Sequence, residues 1–347
     1  MIDLRSDTVT LPNHDMLQTI LNANFDDDGR RDAHGNGGDP TVRKLEKMIS
    51  QLTNKEDAVF FPTGTLANTA AMYAYTESES IVLLDESMHI YASERFGFLK
   101  RGGGIVPEFY SVTENNKPDI LDIERKLKEK AVSSILIENT HNYLGGICLS
   151  QEEIKEIYQL AKKYDTFLYM DGARIFNAAI ALDVKISDLT EYVDSLMICF
   201  SKGLGAPMGA VLCGEYKWIQ ECRKIKKLLG GNMRQAGVIA APAIYALEHN
   251  VDRLKYDHEN AKTFAKIVKE NSNKVEVIDQ VETNIVLLDI TKTDLTVDEF
   301  LVEAEKLGVL VHKIPNYIRA TFHLGISQEQ AIEAAYLLVK VTNNVGQ

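Results

Sequence analysis

Short apolar runs alternate with longer amphipathic segments along most of the chain, and this alternation is the feature that most constrains its fold. It is typical of βαβ units, in which parallel strands buried on both faces are joined by covering helices. The predicted strands are residues 58–61, 81–84, 134–137, 166–170 and 195–200. The sequence therefore predicts an α/β fold with a mostly parallel sheet flanked by helices.

Beyond residue 250 the elements become shorter. After a helical stretch around residues 237–259, the sequence predicts strands at 275–278, 284–289 and 309–311, interleaved with helices near 297–307 and 327–342. This pattern predicts two domains. The large one spans residues 1–250 and includes the N-terminal segment, and a smaller C-terminal α+β domain spans residues 251–347.

The charge balance excludes some classes of partner. Lysine and arginine total 38 against 50 for aspartate and glutamate, a net charge of −12, whereas nucleic acids and anionic membranes require a basic surface. No apolar run approaches 18 residues, and the first residues lack the apolar core of a signal peptide. The four cysteines form no CxxC pair. We expect a cytoplasmic protein without a metal site.

Two charged residues follow neighbouring predicted strands. Lys202 comes directly after the strand at 195–200, in a glycine-rich loop, and Asp171 follows the strand at 166–170. Ligands bind at the carboxyl ends of parallel strands, and a lysine there is either a nucleophilic amine or a surface side chain. Pyridoxal phosphate binds covalently to a lysine and needs an acidic residue at its ring nitrogen, a position that Asp171 could fill. Alternatively, Asp171 caps the N-terminus of a helix.

Further candidates are ambiguous one by one. The turn containing Gly64 and Thr65 could offer backbone N–H groups to a phosphate, or it is a common loop. His89 could lie over a cofactor ring or be an ordinary polar residue. Arg174 and Arg319 could each bind a carboxylate or lie on the surface.

Seven motifs in fixed order carry a resemblance to a known family. They are DLRSDTVT at 3–10, GDPTV at 38–42, FPTGT at 61–65, ENTHN at 138–142, DGARIFN at 171–177, SKGLGAP at 201–207 and LGGNMRQAG at 229–237. Together they resemble the L-threonine aldolases. These belong to the aspartate-aminotransferase-like, fold type I pyridoxal-phosphate enzymes, and the resemblance runs from residue 2 to about residue 325.

The resemblance implies a set of cofactor contacts. Lys202 would form a Schiff base with pyridoxal 5′-phosphate, Asp171 would bind its pyridine nitrogen, and His89 would stack on its ring. The phosphate would be bound by Gly64, Thr65 and Ser201, and by Arg234 of a neighbouring subunit. The sites would therefore be shared within a homotetramer built as a dimer of dimers.

The resemblance also implies a substrate and a reaction. Ser6, Arg174 and Arg319 would hold the carboxylate of a small amino acid, with Arg174 also near the phenolic oxygen of the cofactor. The reaction would be reversible cleavage of L-threonine or L-allo-threonine to glycine and acetaldehyde, with His89 as the first candidate for the base. The alternatives are a β-eliminating lyase, an aldolase for aromatic β-hydroxy amino acids, and a cofactor-binding protein without efficient turnover.

The chain departs from the family pattern at two places. Asn36-Gly37-Gly38 replaces a Tyr-Gly-Glu triplet, so a tyrosine and a glutamate are missing. A segment carrying a second histidine is also missing, and residues 128–132 take its place. His34 is either a substitute for that histidine or a solvated loop residue. The missing histidine leaves the base and the preferred β-substituent open.

Overall fold

The computed structural model describes residues 1–30, 32–35, 38–278, 280–315 and 317–343. The strands are β1 (Ile2–Asp3), β2 (Asp57–Phe61), β3 (Ile81–Leu84), β4 (Val106–Phe109), β5 (Val132–Glu138), β6 (Phe167–Gly172), β7 (Ser195–Cys199), β8 (Ala210–Gly214), β9 (Glu276–Ile278), β10 (Ile285–Asp289), β11 (Val309–Leu310), β12 (His312–Lys313) and β13 (Ile318–Thr321). The α-helices are α1 (His14–Leu21), α2 (Pro40–Thr53), α3 (Gly64–Tyr75), α4 (Ile120–Glu129), α5 (Gln151–Lys163), α6 (Ile175–Leu182), α7 (Ile186–Thr190), α8 (Tyr216–Leu228), α9 (Gly237–His249), α10 (Leu254–Asn271), α11 (Val297–Lys306) and α12 (Gln328–Asn343). Short helical turns lie at Asp7–Val9, Ile90–Glu94 and Phe96–Phe98.

The large sheet confirms the predicted α/β fold. Seven of the described strands lie in the order β2-β8-β7-β6-β5-β3-β4. The pairs among β4, β3, β5, β6 and β7 are parallel, whereas β8 runs antiparallel to both of its neighbours. The sequence prediction missed β4 and β8. The apolar run of β8 follows the glycine-rich loop after Lys202 so closely that no crossover helix could intervene, and an antiparallel return is the result.

Alternate residues of each strand pack on opposite faces of this sheet. In β2, Ala58 and Phe60 join a core that includes apolar residues of α2 and α5. Val59 and Phe61 face the other way, into a core with residues of α3 and α8. Because both faces are buried, the strands consist of continuous apolar runs, which is why they were predictable from sequence.

Local signals in the sequence set several helix ends. The Ser150 side chain accepts from the Glu153 amide and the Glu153 carboxylate accepts from the Ser150 amide, as the capping-box pattern predicts for α5. The helix predicted around 237–259 is wrong as a single helix, because α9 ends at His249 and α10 begins at Leu254. Asn250 donates its side-chain amide to the Leu204 carbonyl at 2.7 Å, which holds the chain at the break.

The C-terminal residues form a smaller antiparallel sheet in the order β12-β13-β10-β9. Its apolar face packs with α10 and α12 in a separate core. The N-terminal strand β1 pairs with β11, so the first residues contact this smaller unit although the sequence analysis assigned them to the large domain. The domain boundary at 250 stays a prediction. None of the described helices is both long and apolar enough to cross a membrane.

Candidate active site

Three neighbouring parallel strands bring charged residues to one edge of the large sheet. Glu138 at the end of β5 pairs with Asp171 in β6, and Gly172 pairs with Ile198 of β7. Lys202 follows β7 by three residues. Because these strands are parallel, their carboxyl ends meet, and the predicted convergence of Asp171 and Lys202 at this edge follows from the strand order.

A cavity of about 420 Å³ opens at this edge, and we call it the catalytic cavity. Five of the sequence-predicted site residues line it: Ser6, His89, Arg174, Lys202 and Arg319. The remaining lining residues are Arg5, Thr8, Val9, Asn142, Tyr143 and His312. Segments from the N-terminus, the large sheet and the small sheet therefore enclose one site, and its four charged lining residues, Arg5, Arg174, Lys202 and Arg319, are all cationic.

Arg174 is a buried side chain with a carboxylate partner. Its Nε and Nη2 donate to the two carboxylate oxygens of Asp7, each at 2.7 Å, and its Nη1 donates to Asn142 Oδ1 at 3.0 Å. Burial alone would raise the pKa of Asp7, but the charge and hydrogen bonds of Arg174 hold that pKa far below its usual range. All three guanidinium nitrogens of Arg174 thus donate within the protein.

Arg319 has no such partner. Its Nη1 donates to Asn142 Oδ1 at 2.8 Å and its Nη2 to the Arg5 carbonyl at 3.3 Å, while its buried Nε has no hydrogen-bond partner. No carboxylate of the described chain lies within ion-pair distance of it. Burial and the nearby charge of Arg174 lower its pKa to about 10. An unmatched guanidinium beside a cavity favours an anionic ligand.

Ser6 and Asn142 complete the polar wall around these arginines. The Ser6 hydroxyl accepts from the Thr8 amide at 3.2 Å and from the Thr8 hydroxyl at 2.9 Å. Asn142 accepts from both Arg174 and Arg319. Its own amide donates to a carboxylate oxygen of Glu138 at 2.9 Å, which fixes the backbone at this point.

Asp171 is buried below the cavity. Its carboxylate accepts from the Asn68 side chain and from the Ala173 amide, both at 3.0 Å. The Asn68 amide oxygen in turn accepts from the Tyr169 hydroxyl at 2.6 Å. The alternative interpretation of Asp171 as a helix cap is wrong, because α6 starts at Ile175 and the capping position belongs to Arg174. A buried carboxylate with spare acceptor capacity is suited to a cationic or N–H ligand group.

His89 lies beside two carboxylates. Its backbone amide donates to Glu138 at 2.8 Å, and its Nδ1 lies 3.3 Å from Glu94 Oε1. Its ring stacks with that of Tyr143 at a centroid distance of 6.3 Å. Partial burial lowers the pKa of His89, but the hydrogen bond with Glu94 and the charge of Glu138 outweigh it, so the net effect raises that pKa.

The three predicted phosphate contacts lie outside the lining of the catalytic cavity. Gly64 and Thr65 form the first turn of α3, which Thr63 caps by accepting from the Leu66 amide at 3.2 Å. The Thr65 hydroxyl donates to Glu94 at 3.2 Å. The Ser201 hydroxyl lies 3.3 Å from the Cys199 sulfur. First-turn amides of a helix lack intrahelical partners, so this end of α3 can accept an anion.

Arg234 and His34 lie elsewhere on the surface. The Arg234 side chain is 71% exposed and forms an ion pair with Asp27 at 3.2 Å, so within one subunit it does not reach the cavity. Its action on a neighbouring subunit stays a prediction. His34 is exposed, and its carbonyl accepts from the Tyr216 hydroxyl at 3.0 Å. It does not line the catalytic cavity. Asn36 and Gly37 lie outside the described residues.

Sequence reasoning assigned no role to several residues that organise the site. They are Asp7, Asn68, Glu94, Glu138, Asn142 and Tyr143. Asp7, Glu138 and Asn142 stood inside the motifs, and for Glu138 the available signal was a carboxylate directly after an apolar run. Glu94 had no comparable signal, because the sequence does not indicate the π-helical turn that places its carboxylate beside His89.

The fold and the site define a class. The site combines three features: a lysine after a central parallel strand, a buried carboxylate on the next strand, and two arginines in one cavity. This combination is typical of α/β enzymes that act on anionic substrates through a lysine. The family model for beta-eliminating lyases matches residues 3–293, and the chain belongs to this family. The family is pyridoxal-phosphate-dependent.

Individual relatives match nearly the full length. Low-specificity L-threonine aldolase 1 of Arabidopsis thaliana is 36% identical, over 89% of this chain and 87% of its own length. The low specificity L-threonine aldolase of Escherichia coli K12 is 35% identical, over 96% of this chain and 97% of its own. The threonine aldolase structure from Leishmania major superposes with a TM-score of 0.81 at 16% identity, covering 99% of this chain and 100% of that one, and it supports the fold.

Proposed function

We propose that this chain is a pyridoxal-phosphate-dependent aldolase that cleaves L-threonine and L-allo-threonine reversibly to glycine and acetaldehyde. The observation that carries the proposal is the position of Lys202 in the same cavity as the unmatched guanidinium of Arg319. Lys202 supplies an amine that can react with a carbonyl group, and Arg319 supplies a cation that can bind a carboxylate. An enzyme of this kind that acts on amino acids needs both groups. The near full-length threonine aldolase relatives support the choice of reaction.

The donor set of the site fits the cofactor. Lys202 would hold it through Nζ, Asp171 would bind its ring nitrogen, and His89 would stack on its ring. The phosphate would be bound by Gly64, Thr65, Ser201 and a neighbouring subunit's Arg234. When bound, pyridoxal phosphate withdraws electrons from the substrate Cα. The buried Asp171 carboxylate and the N-terminus of α3 provide the opposite charges that the two ends of this molecule require.

Arg319 and Ser6 would bind the substrate carboxylate. Arg319 has an unpartnered Nε and no carboxylate of its own, whereas Arg174 is largely engaged by Asp7. Arg174 would therefore orient Asn142 through Nη1 and contribute positive charge to the cavity. A carboxylate held at two points cannot rotate freely, and this restriction determines which bond at Cα is aligned for cleavage.

His89 is our candidate for the group that removes the β-hydroxyl proton. Its Nδ1 faces Glu94, which leaves Nε2 for the substrate, directly or through water. As the proton leaves, the Cα–Cβ bond breaks and the β-carbon departs as the carbonyl carbon of acetaldehyde. Cα then regains a proton, which gives glycine. The raised pKa makes His89 a stronger base in its neutral form.

We further propose a homotetramer with shared sites, acting on a small-molecule amino acid in the cytoplasm. Arg234 supports the sharing, because its exposed guanidinium is bound only at the surface of its own subunit and is available to an adjacent copy. The net charge of −12 gives no support to nucleic acid or an anionic membrane as a partner.

Product analysis tests the reaction. Purified protein loaded with pyridoxal phosphate is incubated with L-threonine and with L-allo-threonine, and glycine, acetaldehyde, ammonia and keto acid are each measured. The aldolase predicts equal amounts of glycine and acetaldehyde from at least one substrate, with none from Lys202→Ala. Ammonia with a keto acid would instead identify a β-eliminating lyase. Cofactor binding without product from either threonine would leave two alternatives, an aldolase for aromatic β-hydroxy amino acids and a binding protein. Glycine release from L-phenylserine would identify the former, and no product from any β-hydroxy amino acid the latter.

A further inference from the structure

A second cavity, of about 520 Å³, lies beside the catalytic cavity. Tyr143 is the residue that lines both. Much of the lining of the second cavity is apolar or aromatic and is formed by Tyr91, Leu144, Ile314, Pro315 and Tyr317. The lining also includes polar groups, among them Asp85 and Arg95. The Tyr143 ring is therefore the wall shared by a cationic cavity and a partly apolar one.

The Tyr143 ring is fixed at three points. Its hydroxyl lies 2.9 Å from the Ser93 hydroxyl, and its ring stacks with His89 at an interplanar angle of 17°. It also packs against the cluster of Ile285, Leu287 and Ile314 beneath the small sheet. These contacts come from both the large and the small sheet, so the ring is held across the junction between the two cavities.

The lining of the catalytic cavity leaves few positions for an apolar group. Arg5, Arg174, Arg319 and Lys202 are cationic, and two histidines add polar surface. Among the lining residues that the structure describes, Val9 and Tyr143 carry the two largest apolar surfaces. A substrate whose carboxylate binds the arginines will place its apolar β-substituent away from them, because burying that group against charges is unfavourable. Tyr143, beside the proposed base His89, is the larger of the two available surfaces.

We infer that Tyr143 sets the size of the β-substituent that the enzyme accepts, by closing the catalytic cavity off from the apolar lining of the second cavity. This inference rests on the proposed aldolase function. With Tyr143 in place, the cavity accepts a methyl group, as in threonine. With the ring removed, the two cavities join, and an aromatic substituent such as the phenyl group of L-phenylserine gains a place among Leu144, Ile314 and Tyr317.

The test compares four variants of the cofactor-loaded protein: Tyr143→Ala, Tyr143→Leu, Tyr143→Phe and, as a matched control, Tyr317→Ala. Tyr317 lines only the second cavity, so its removal enlarges that cavity without opening the shared wall. One readout is the ratio of kcat/KM for L-phenylserine to that for L-threonine. The other is the ratio of dissociation constants for L-phenylalanine and L-alanine, which lack the β-hydroxyl and are followed by the cofactor's absorption.

In Tyr143→Ala we expect the phenylserine-to-threonine ratio to rise about tenfold or more, with L-phenylalanine binding favoured by a similar factor over L-alanine. Tyr143→Leu should shift both ratios in the same direction by less. Tyr143→Phe and Tyr317→Ala should leave both within about twofold of the parent. Unchanged ratios in Tyr143→Ala and Tyr143→Leu would overturn the inference, and so would an equal shift in Tyr317→Ala. The proposed aldolase function is tested separately, and it is refuted if the parent protein releases no glycine from threonine. The inference about Tyr143 can still be tested in that case, because the ratio of dissociation constants does not depend on cleavage.

Discussion

Arg223 and Arg319 are both buried guanidinium groups, but their surroundings differ. Arg223 donates to both carboxylate oxygens of Glu46 at 2.9 Å each, and also to the Ala58 carbonyl. Glu46 in addition accepts from the Phe60 amide at 2.8 Å, which ties α2 to β2. Arg319, at the catalytic cavity, shares an amide oxygen with Arg174 and has no carboxylate among the residues that the structure describes.

The difference separates a structural arginine from one that awaits a ligand. A buried charge is tolerated when its partner is also buried and hydrogen-bonded, as in the pair of Arg223 and Glu46. Both arginines have an unpartnered Nε, so this atom does not distinguish them. Arg319 lies next to another arginine and has no carboxylate partner among the described residues, and this keeps an unfavourable energy that an anion can relieve. The charge balance around each arginine therefore indicates its role better than its burial does.

The largest effect on stability is expected from Arg223→Leu. It leaves the Glu46 carboxylate buried without its counter-charge, and we expect the free energy of unfolding to fall by about 3–5 kcal/mol. Urea denaturation measures this loss. Turnover per folded molecule should be unchanged, because Arg223 does not line the catalytic cavity.

A double variant provides the control for that prediction. Arg223→Leu combined with Glu46→Gln removes the stranded charge but keeps an acceptor for the Phe60 amide, and part of the lost stability should return. If the double variant is less stable than Arg223→Leu alone, the uncompensated carboxylate is not the cause.

Arg319→Leu should show the opposite pattern. Losing a buried charged hydrogen-bond donor to the substrate costs about 2–5 kcal/mol, so we expect KM for L-threonine to rise about 30-fold or more. Stability should not fall, because the substitution removes an unmatched buried charge. Steady-state kinetics and thermal unfolding measure the two effects. A large loss of stability with unchanged KM would show that Arg319 is structural, like Arg223.

Glu94→Gln tests the assignment of His89. The hydrogen bond with Glu94 helps to raise the pKa of His89, so replacing this carboxylate by a neutral, weaker acceptor should lower that pKa. If neutral His89 accepts the proton, activity in the parent falls as pH drops through this raised pKa. In Glu94→Gln the acid limb of the pH profile of kcat/KM should therefore move to lower pH. An acid limb at the same pH in both proteins would assign it to another group.

The smallest effect is expected from Arg234→Ala. Its ion pair with Asp27 is largely exposed and contributes little to stability. If the side chain reaches the cofactor phosphate of an adjacent subunit, cofactor should dissociate faster during dialysis while Tm without cofactor stays the same. Lys224→Ala removes an equally exposed cation from α8 and provides the matched control. Equal cofactor retention in the two variants would argue against the shared site.

How much was predictable from sequence depends on whether a feature is local or is set by residues distant along the chain. The buried strands appear as apolar runs, and β3 has the predicted bounds, because a parallel strand covered on both faces shows its burial directly in sequence. The convergence of Asp171 and Lys202 followed from strand order. Position along a strand is a local property, and sequence conveys it well.

The charge partners were not predictable in this way. Asp7 meets Arg174 across 167 residues of chain, and Arg319 meets Asn142 across 177. From sequence alone these arginines were indistinguishable from surface residues, because their environment is formed by the packing of the N-terminal segment and the small sheet against the large one. The break between α9 and α10 likewise depends on a side-chain contact of Asn250 with the distant Leu204.

The central claim is that Lys202 holds the cofactor, and mapping the site of covalent attachment tests it most directly. The protein is loaded with pyridoxal phosphate, treated with borohydride to fix any amine-linked cofactor, and digested for peptide mass spectrometry. We predict a pyridoxyl group on the peptide containing Lys202 and none on those containing the half-buried Lys55 or the buried Lys226, neither of which lines the catalytic cavity. A label on either of these lysines, or none on Lys202, would contradict the proposed site.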